Sequence, residues 1–141
     1  MIDTHGALIH PEVLALLARS GHGAKILVSD ANFDSATLHP AGARVIHLGV
    51  RLGLPAVSDV LDAVLPLIKV QGACFMRAEG GPETREVQNE VRPLLGDTPI
   101  RELDRADFYA EASSDRIAGI IVTGDGRRFG NVILELAPIL I

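Results

Sequence analysis

The sequence predicts an α/β fold: a three-layer single domain with a largely parallel sheet and a C-terminal antiparallel hairpin. Segments of strand character alternate with segments of helical character over most of the chain, which is typical of a parallel sheet covered by helices. The last two strand segments are joined by a tight, charged turn at residues 124–128, and a short connection favours an antiparallel pair. Since 141 residues fit one domain, we expect a single domain over residues 1–141.

Four helices are expected from the spacing of apolar residues and from the residues at the helix ends. Residues 11–20 begin with proline, carry apolar side chains at helical spacing, and are followed by Gly21. Residues 54–70 repeat apolar side chains in the same way, and Pro66 should end or kink that helix near Leu65. A polar surface helix is expected over residues 82–95. Asp104 should cap a last helix that runs to about residue 112.

Short segments rich in β-branched and other apolar residues are expected to form the strands. These are residues 25–28, 44–48, 73–78, 99–103, 117–123 and 131–136. In such sheets, binding sites gather beyond the carboxyl ends of the strands. Two polar segments meet that condition, SDAN at residues 29–32 and TGDG at residues 123–126.

The composition excludes several classes of protein. Thirteen Lys and Arg against eighteen Asp and Glu give a net charge of −5, and no basic run occurs, so neither nucleic acid nor a membrane surface is an expected partner. No apolar stretch approaches the roughly 20 residues of a membrane-spanning helix, and the first residues lack a secretory-signal pattern. Cys74 is the only cysteine, which excludes an internal disulfide and fits a reducing cytoplasm.

The apolar content points to self-association. Apolar residues make up 48% of the chain and charged residues only 22%, which excludes disorder. A domain this small leaves a large share of its surface outside, so the excess is expected to be buried between subunits. We expect the apolar residues 137–141 and the helix around residues 57–67 to lie partly against neighbouring subunits.

His22 and Asp30 are the strongest candidates for acid–base chemistry. His22 lies between Gly21 and Gly23, directly before the strand that leads to Asp30. Flanking glycines favour an imidazole on an open loop, and an imidazole that titrates near neutrality can exchange protons beside a carboxylate. The alternative, which these residues support at least as well, is a solvent-facing histidine at the end of a helix.

Other candidates are weaker. Four further histidines show no i, i+4 pair of the kind that binds metal on a helix, so no metal site is expected. They are His5, His10, His39 and His47. The glycines around residues 124–130 link two strands instead of opening a helix, which argues against a phosphate-binding loop. Arg127 and Arg128 on that turn could attract an anion, although two adjacent arginines on a turn are usually just solvated.

A series of short motifs runs along nearly the whole chain. The series is GHG at 21–23, SDANF at 29–33, VSDVLDAVLPL at 57–67, DRADFY at 104–109, VTG at 122–124 and FGN at 129–131. In order, spacing and total length it resembles the ribose pyranase / fucose mutarotase (RbsD/FucU) family. Each motif alone is weak, but the ordered set is fairly specific. The GHG triplet, Arg105 and the helix at residues 57–67 resemble the fucose branch more closely.

The resemblance implies an enzyme that interconverts cyclic forms of a monosaccharide by acid–base ring opening and closure, without cofactor or metal. The exchange would be between anomers, as in L-fucose mutarotation, or between pyranose and furanose rings. It also implies a ring-like homo-oligomer, with a decamer as one candidate, and sites near subunit boundaries. By position, His22 matches the family's proton donor, whereas Asp30, Arg105, Phe129 and Asn131 match sugar-binding positions.

Phe129 departs from the family's pattern, which commonly has tyrosine at this position. The phenolic oxygen thought to share in proton transfer is therefore missing there. Tyr109 is the only tyrosine of the chain and is a candidate auxiliary group. The departure keeps a second interpretation open, a non-catalytic sugar-binding or regulatory member of the same family.

Overall fold

One antiparallel strand lies in the middle of an otherwise parallel sheet. The computed structural model describes residues 8–141, and its strands are β1 (Lys25–Ser29), β2 (Arg44–His47), β3 (Val70–Met76), β4 (Ile100–Leu103), β5 (Ile117–Val122) and β6 (Val132–Leu136). Their order in the sheet is β2-β5-β1-β6-β3-β4. β6 pairs antiparallel with both β1 and β3, and the other pairs are parallel. The expected α/β class with a largely parallel sheet is therefore confirmed.

The expected C-terminal hairpin is wrong in its strand partners. β5 and β6 follow each other in the chain and run in opposite directions, but β1 lies between them. Nine residues, 123–131, join β5 to β6, and this length easily crosses one strand because neighbouring strands are about 4.8 Å apart. The three central residues of β1, Ile26, Leu27 and Val28, are fully buried, which favours a central position over an edge.

Helices cover both faces of the sheet, which confirms the three layers. On one face lie α1 (Pro11–Arg19), α2 (Val57–Val64) and α3 (Glu86–Leu95), and on the other lies α4 (Arg105–Ala112). β1 contributes to both cores, since Ile26 and Val28 pack with the first three helices and Leu27 packs with α4. The sheet is therefore sandwiched between two separate apolar clusters.

Two helix ends agree with the sequence signals, whereas α2 begins at Val57 and not at residue 54 as expected. Pro66 stops α2 as expected, because the α-helix ends at Val64 and a short 3₁₀ turn, Leu65–Leu67, follows. The carboxylate of Asp104 accepts a hydrogen bond from the Asp107 N–H at 2.8 Å and so caps α4 as expected. The polar helix expected over residues 82–95 is instead a 3₁₀ turn, Pro82–Arg85, followed by α3.

The apolar surplus is divided between the core and the surface. The apolar side chains of α2 at positions 57, 60, 61 and 64 are buried in the chain's own core. Contrary to the expectation, this face of the helix is therefore not available to a neighbouring subunit. By contrast, the C-terminal residues Ile139, Leu140 and Ile141 are exposed. Among residues 8–141, no helix is long and apolar enough to cross a membrane.

At Gly119 in β5, the side chain of Leu16 on α1 packs closely against the sheet. A Cβ at this position would lie 2.6 and 2.7 Å from the two methyl carbons of Leu16, and 2.9 Å from the carbonyl oxygen of Arg44 on β2. The leucine methyls can rotate away, whereas the backbone of a paired strand cannot. We expect Gly119→Ala to lower the free energy of unfolding, measured by urea denaturation, by about 1–3 kcal/mol.

Gly42→Ala is the matched control for this variant. A Cβ at Gly42 has no heavy atom within 4 Å, so the free energy of unfolding should change by less than about 0.5 kcal/mol. Equal losses of stability in the two variants would contradict the packing of α1 on β5.

Candidate functional site

A cleft at the carboxyl ends of the parallel strands brings together most of the residues selected from the sequence. The cleft holds about 130 Å³ and lies where the end of β1, the start of β6 and the first turns of α4 meet. It is lined by Asp30, Asn32, Phe33, Met76, Arg105, Tyr109, Arg128, Phe129 and Asn131. Five of the six candidate residues from the sequence line this cleft, and the sixth, His22, does not.

Reciprocal hydrogen bonds join the end of β1 to the start of β6 beneath the cleft. The Asp30 carboxylate accepts from the Gly130 N–H at 3.1 Å and from the Asn32 N–H at 2.9 Å. In return, the Asp30 N–H donates to the side-chain oxygen of Asn131 at 2.9 Å. The NH₂ group of Asn131 and the second lone pair of its oxygen remain for a ligand.

Asp30 is a buried carboxyl group, with 2% of its surface exposed. Burial raises its pKa above the ordinary value of 3.8, although the N–H groups of Gly130 and Asn32 lower it in part. The negative charge of Asp125 raises the pKa further. Asp30 therefore keeps its proton to a higher pH than an exposed aspartate, and its oxygens can accept hydrogen bonds from a ligand.

Phe129 is held in an uncommon backbone conformation at the wall of the cleft. Its φ is +58°, in the left-handed region that few residues with a Cβ adopt. The side-chain NH₂ of Gln88 on α3 donates to the carbonyl oxygens of both Phe129, at 3.1 Å, and Met76, at 2.8 Å. Gln88 is buried, and it ties this loop to the end of β3. Sequence reasoning missed Gln88, because one glutamine in a helix of polar residues gives no signal of burial.

Two arginines lie at the exposed mouth of the cleft. The guanidinium carbon of Arg128 lies 5.1 Å from the centroid of the Phe129 ring, and that of Arg105 lies 6.0 Å from the same centroid. Both distances fall within the range of cation–π attraction. Arg128 is exposed, as expected of a solvated arginine, and it also lines the cleft.

Arg127 belongs to a separate ion-pair network behind the cleft, so the expectation that it is simply solvated is wrong. Its guanidinium donates to both oxygens of Asp125 at 3.0 and 2.9 Å, and to the Glu90 carboxylate at 2.5 and 2.9 Å. Burial would raise the pKa of Asp125, but hydrogen bonds from Arg127 and from the Val57 N–H hold that pKa below 3.8. Residues 123–126 therefore support the cleft from behind and do not line it.

His22 lies at the opposite edge of the sheet. It precedes β1, whereas Asp30 follows it, and at about 3.3 Å per residue the five residues of β1 alone separate these ends by roughly 13 Å. The exposed His22 instead lines a groove with Leu67, Lys69 and residues 137–139. Within one chain, therefore, the imidazole of His22 and the Asp30 cleft do not meet.

The remaining histidines have local roles or stay exposed. The ring of His10 accepts a hydrogen bond from the Val13 N–H at 3.4 Å and caps α1. The Nδ1 atom of His39 lies 2.9 Å from the Pro40 carbonyl oxygen, His47 is exposed at the end of β2, and His5 falls outside the described residues. Within residues 8–141, no group of three His, Cys, Asp or Glu is arranged to hold a metal ion.

The fold and the cleft define a small α/β protein with a polar cleft at the carboxyl edge of a mixed sheet. More specifically, the chain belongs to the RbsD / FucU transport protein family, whose sequence model matches residues 4–138. This match confirms the family resemblance inferred from the ordered motifs.

Solved structures share the fold across nearly their whole length. Bacillus subtilis RbsD, solved in complex with D-ribose, is 23% identical, with a TM-score of 0.84 over 99% of this chain and 100% of that one. The fucose mutarotase of Streptococcus pneumoniae, solved with L-fucose, is 25% identical, with a TM-score of 0.78 over 94% and 95%. FucU of Bifidobacterium longum is 22% identical, with a TM-score of 0.75 over 96% and 99%.

Gln88 should stabilise the cleft wall measurably. Replacing it by methionine, which has a similar volume, leaves the carbonyl oxygens of Met76 and Phe129 without their buried donor. We expect Gln88→Met to lower the free energy of unfolding by about 1–3 kcal/mol, measured by urea denaturation. Asn89→Met is the control, because Asn89 is exposed on the same helix. A Gln88 variant as stable as this control would contradict the role given to its amide.

The carboxyl groups of Asp30 and Asp125 should titrate on opposite sides of 3.8. A pKa that folding raises means tighter proton binding in the folded state, so the Asp30 contribution to stability is full below pH 3.8 and is lost as pH rises through its folded pKa. For Asp125, the contribution is present above 3.8 and is lost as pH falls through its lowered pKa. Carboxyl ¹³C NMR titration, assigned with Asp30→Asn, measures both values. An Asp30 pKa at or below 3.8 would overturn this assignment.

Proposed function

We propose that this chain is a monosaccharide mutarotase that interconverts cyclic forms of a sugar by acid–base ring opening and closure, without a cofactor. The observation that carries the proposal is the gathering of Asp30, Arg105, Tyr109 and Asn131 around one cleft. Membership of the RbsD / FucU family supports it. So does the similarity to structures solved with D-ribose and L-fucose.

The chemistry requires two proton transfers and firm positioning. Ring opening places a proton on the ring oxygen while the anomeric hydroxyl loses one, and closure on the other face or through another hydroxyl reverses this transfer. Each positioned acid or base typically contributes about 10²–10⁴-fold to the rate. In the proposal, Asp30, Arg105 and Asn131 hold the sugar hydroxyls, and the charged groups form the stronger hydrogen bonds.

Tyr109 is proposed to supply the phenolic oxygen that Phe129 lacks. It lines the same cleft, and its ring meets that of Phe33 edge to face with centroids 6.2 Å apart, an arrangement that aromatic pairs favour. The ring of Phe33 therefore packs against Tyr109 and helps to hold it at the wall of the cleft. Phe129 is then left as an apolar wall that the sugar ring can contact.

His22 is proposed to act on the cleft of a neighbouring subunit, because it lies at the opposite edge of its own sheet. Apolar surfaces are exposed at both edges. Residues 137–139 lie beside His22, and the exposed side chains of Val50, Leu52 and Leu54 lie on a loop that contacts Gly126 at the cleft edge. Contact between these unlike surfaces buries both and repeats from subunit to subunit, which closes a ring when the rotation allows it. A decamer is one such ring assembly.

A second candidate function is sugar binding without turnover, and Phe129 is the residue that favours it. If Tyr109 does not replace the missing phenol, the cleft still holds the groups that bind hydroxyls. Calorimetric binding of a sugar by a wild-type protein that does not accelerate its exchange is the outcome that selects this function. For the cellular location we propose the cytoplasm, since the single cysteine, Cys74, cannot form an internal disulfide and its thiol is free.

Complementation between two inactive variants tests both the reaction and the shared site. NMR exchange spectroscopy on L-fucose and D-ribose should show that the wild type accelerates anomer or ring-size exchange. His22→Ala and Asp30→Asn should each lower the rate by about 10²-fold or more. In oligomers reassembled from a 1:1 mixture, about a quarter of the interfaces pair an intact His22 with an intact Asp30, so about a quarter of the activity should return.

The outcomes separate the two parts of this proposal. A mixture no more active than either variant alone would contradict a site shared between subunits. Absence of acceleration by the wild type on any common aldose or ketose would contradict the enzymatic function.

A further inference from the structure

The mouth of the cleft carries two guanidinium groups that converge on one aromatic ring. Arg105 and Arg128 lie 6.0 and 5.1 Å from the centroid of Phe129, so their guanidinium carbons are at most about 11 Å apart. Within residues 8–141, the ion pairs to carboxylates are made by Lys25, Arg92, Arg101 and Arg127. Neither arginine at the mouth has a carboxylate within ion-pair distance in that part of the chain.

The charge of the cleft opposes the charge of the whole protein. The chain carries a net charge of −5, yet the residues lining this cleft include two arginines and one acidic residue, Asp30. That carboxyl group lies at the buried floor, whereas both arginines are exposed at the rim. Burial also raises the pKa of Asp30 and so disfavours a negative charge at the floor of the cleft. The two arginines therefore set the sign of the charge at the rim. A local positive potential on an acidic protein attracts anionic ligands.

We propose that the sugar bound in this cleft carries an anionic group, a carboxylate or a phosphate, held by Arg105 and Arg128 at the rim. The inference rests on the proposed mutarotase function and predicts that acidic monosaccharides, namely uronates or sugar phosphates, are preferred over neutral sugars such as L-fucose and D-ribose. A neutral hydroxyl needs only one donor, whereas two guanidinium groups match the several oxygens of a carboxylate or phosphate. The resulting charge-assisted hydrogen bonds are about twice as strong as neutral ones.

Phe129 has a definite part in this arrangement. Its ring offers an apolar face to which both guanidinium groups are attracted, and the hydrogen bond from Gln88 fixes the backbone that carries it. An anion bound between the two guanidinium groups would reduce their mutual repulsion, so their shared attraction to one ring prepares the rim for a negative charge.

The test compares sugars that differ only in the anionic group. The probes are D-galacturonate against D-galactose for a carboxylate, and D-glucose 6-phosphate against D-glucose for a phosphate, each followed by NMR exchange spectroscopy and by calorimetric binding. We expect at least one acidic sugar to exceed its neutral counterpart about tenfold or more in exchange rate or affinity. The preference should shrink at high salt, because both arginines are exposed. The carboxylate and phosphate arms distinguish the two sources of charge.

Variants assign the preference to the arginines. Arg128→Gln should lower the acidic-to-neutral ratio about tenfold, whereas Arg128→Lys, which retains the charge, should keep most of it. Arg44→Gln is the control, because Arg44 is exposed at the opposite edge of the sheet and its loss should leave the ratio unchanged.

Two different failures remain distinguishable. If neutral sugars exchange as fast as acidic ones and Arg128→Gln leaves the ratio unchanged, the anionic-substrate inference is wrong while the mutarotase function stands. If no sugar exchanges but acidic sugars still bind more tightly through Arg128, the mutarotase function is wrong while the inference about the bound anion stands.

Discussion

The reciprocal hydrogen bonds between Asp30 and the segment Gly130–Asn131 are the constraint on which the rest of the cleft depends. They join two chain segments that are about a hundred residues apart in sequence and make one floor from the ends of β1 and β6. From this floor follow the uncommon conformation of Phe129 and the location of Arg128 at the mouth. The network of Arg127, Asp125 and Glu90 holds the same loop from behind. Burying a carboxyl group at this point costs solvation, which is a cost that functional sites commonly carry.

The direction of the strands explains why a single chain does not bring all six candidate site residues into one cleft. All strands except β6 end at the edge where the cleft lies, so groups that follow a strand gather there. His22 precedes β1 and therefore lies at the other edge. Exposed apolar segments at both edges offer a physical reason for unlike ends of two subunits to meet. In the proposed oligomer, contact between these edges would bring the His22 imidazole of one subunit to the cleft of another.

Sequence reasoning predicted what local rules control. Apolar spacing located the helices, Pro66 ended α2, Asp104 capped α4, and the carboxyl-edge rule selected residues 29–32. The partners of β6 could not be predicted in this way, because strands buried on both faces do not reveal their neighbours and a nine-residue connection does not force pairing. The roles of Gln88 and Arg128 were also hidden. Both depend on which side chains the tertiary fold brings to one loop, and adjacent arginines on a turn look alike until the fold separates them.

A structure of the assembled protein with a bound monosaccharide tests the central claim most directly, namely that the site is built from two subunits. We expect an imidazole nitrogen of His22 from a neighbouring subunit to lie about 3 Å from the sugar, within hydrogen-bond reach. The sugar itself should contact Asp30 and Asn131 of the first subunit. A sugar held in this cleft by residues of one chain alone, with every His22 far from it, would contradict the account.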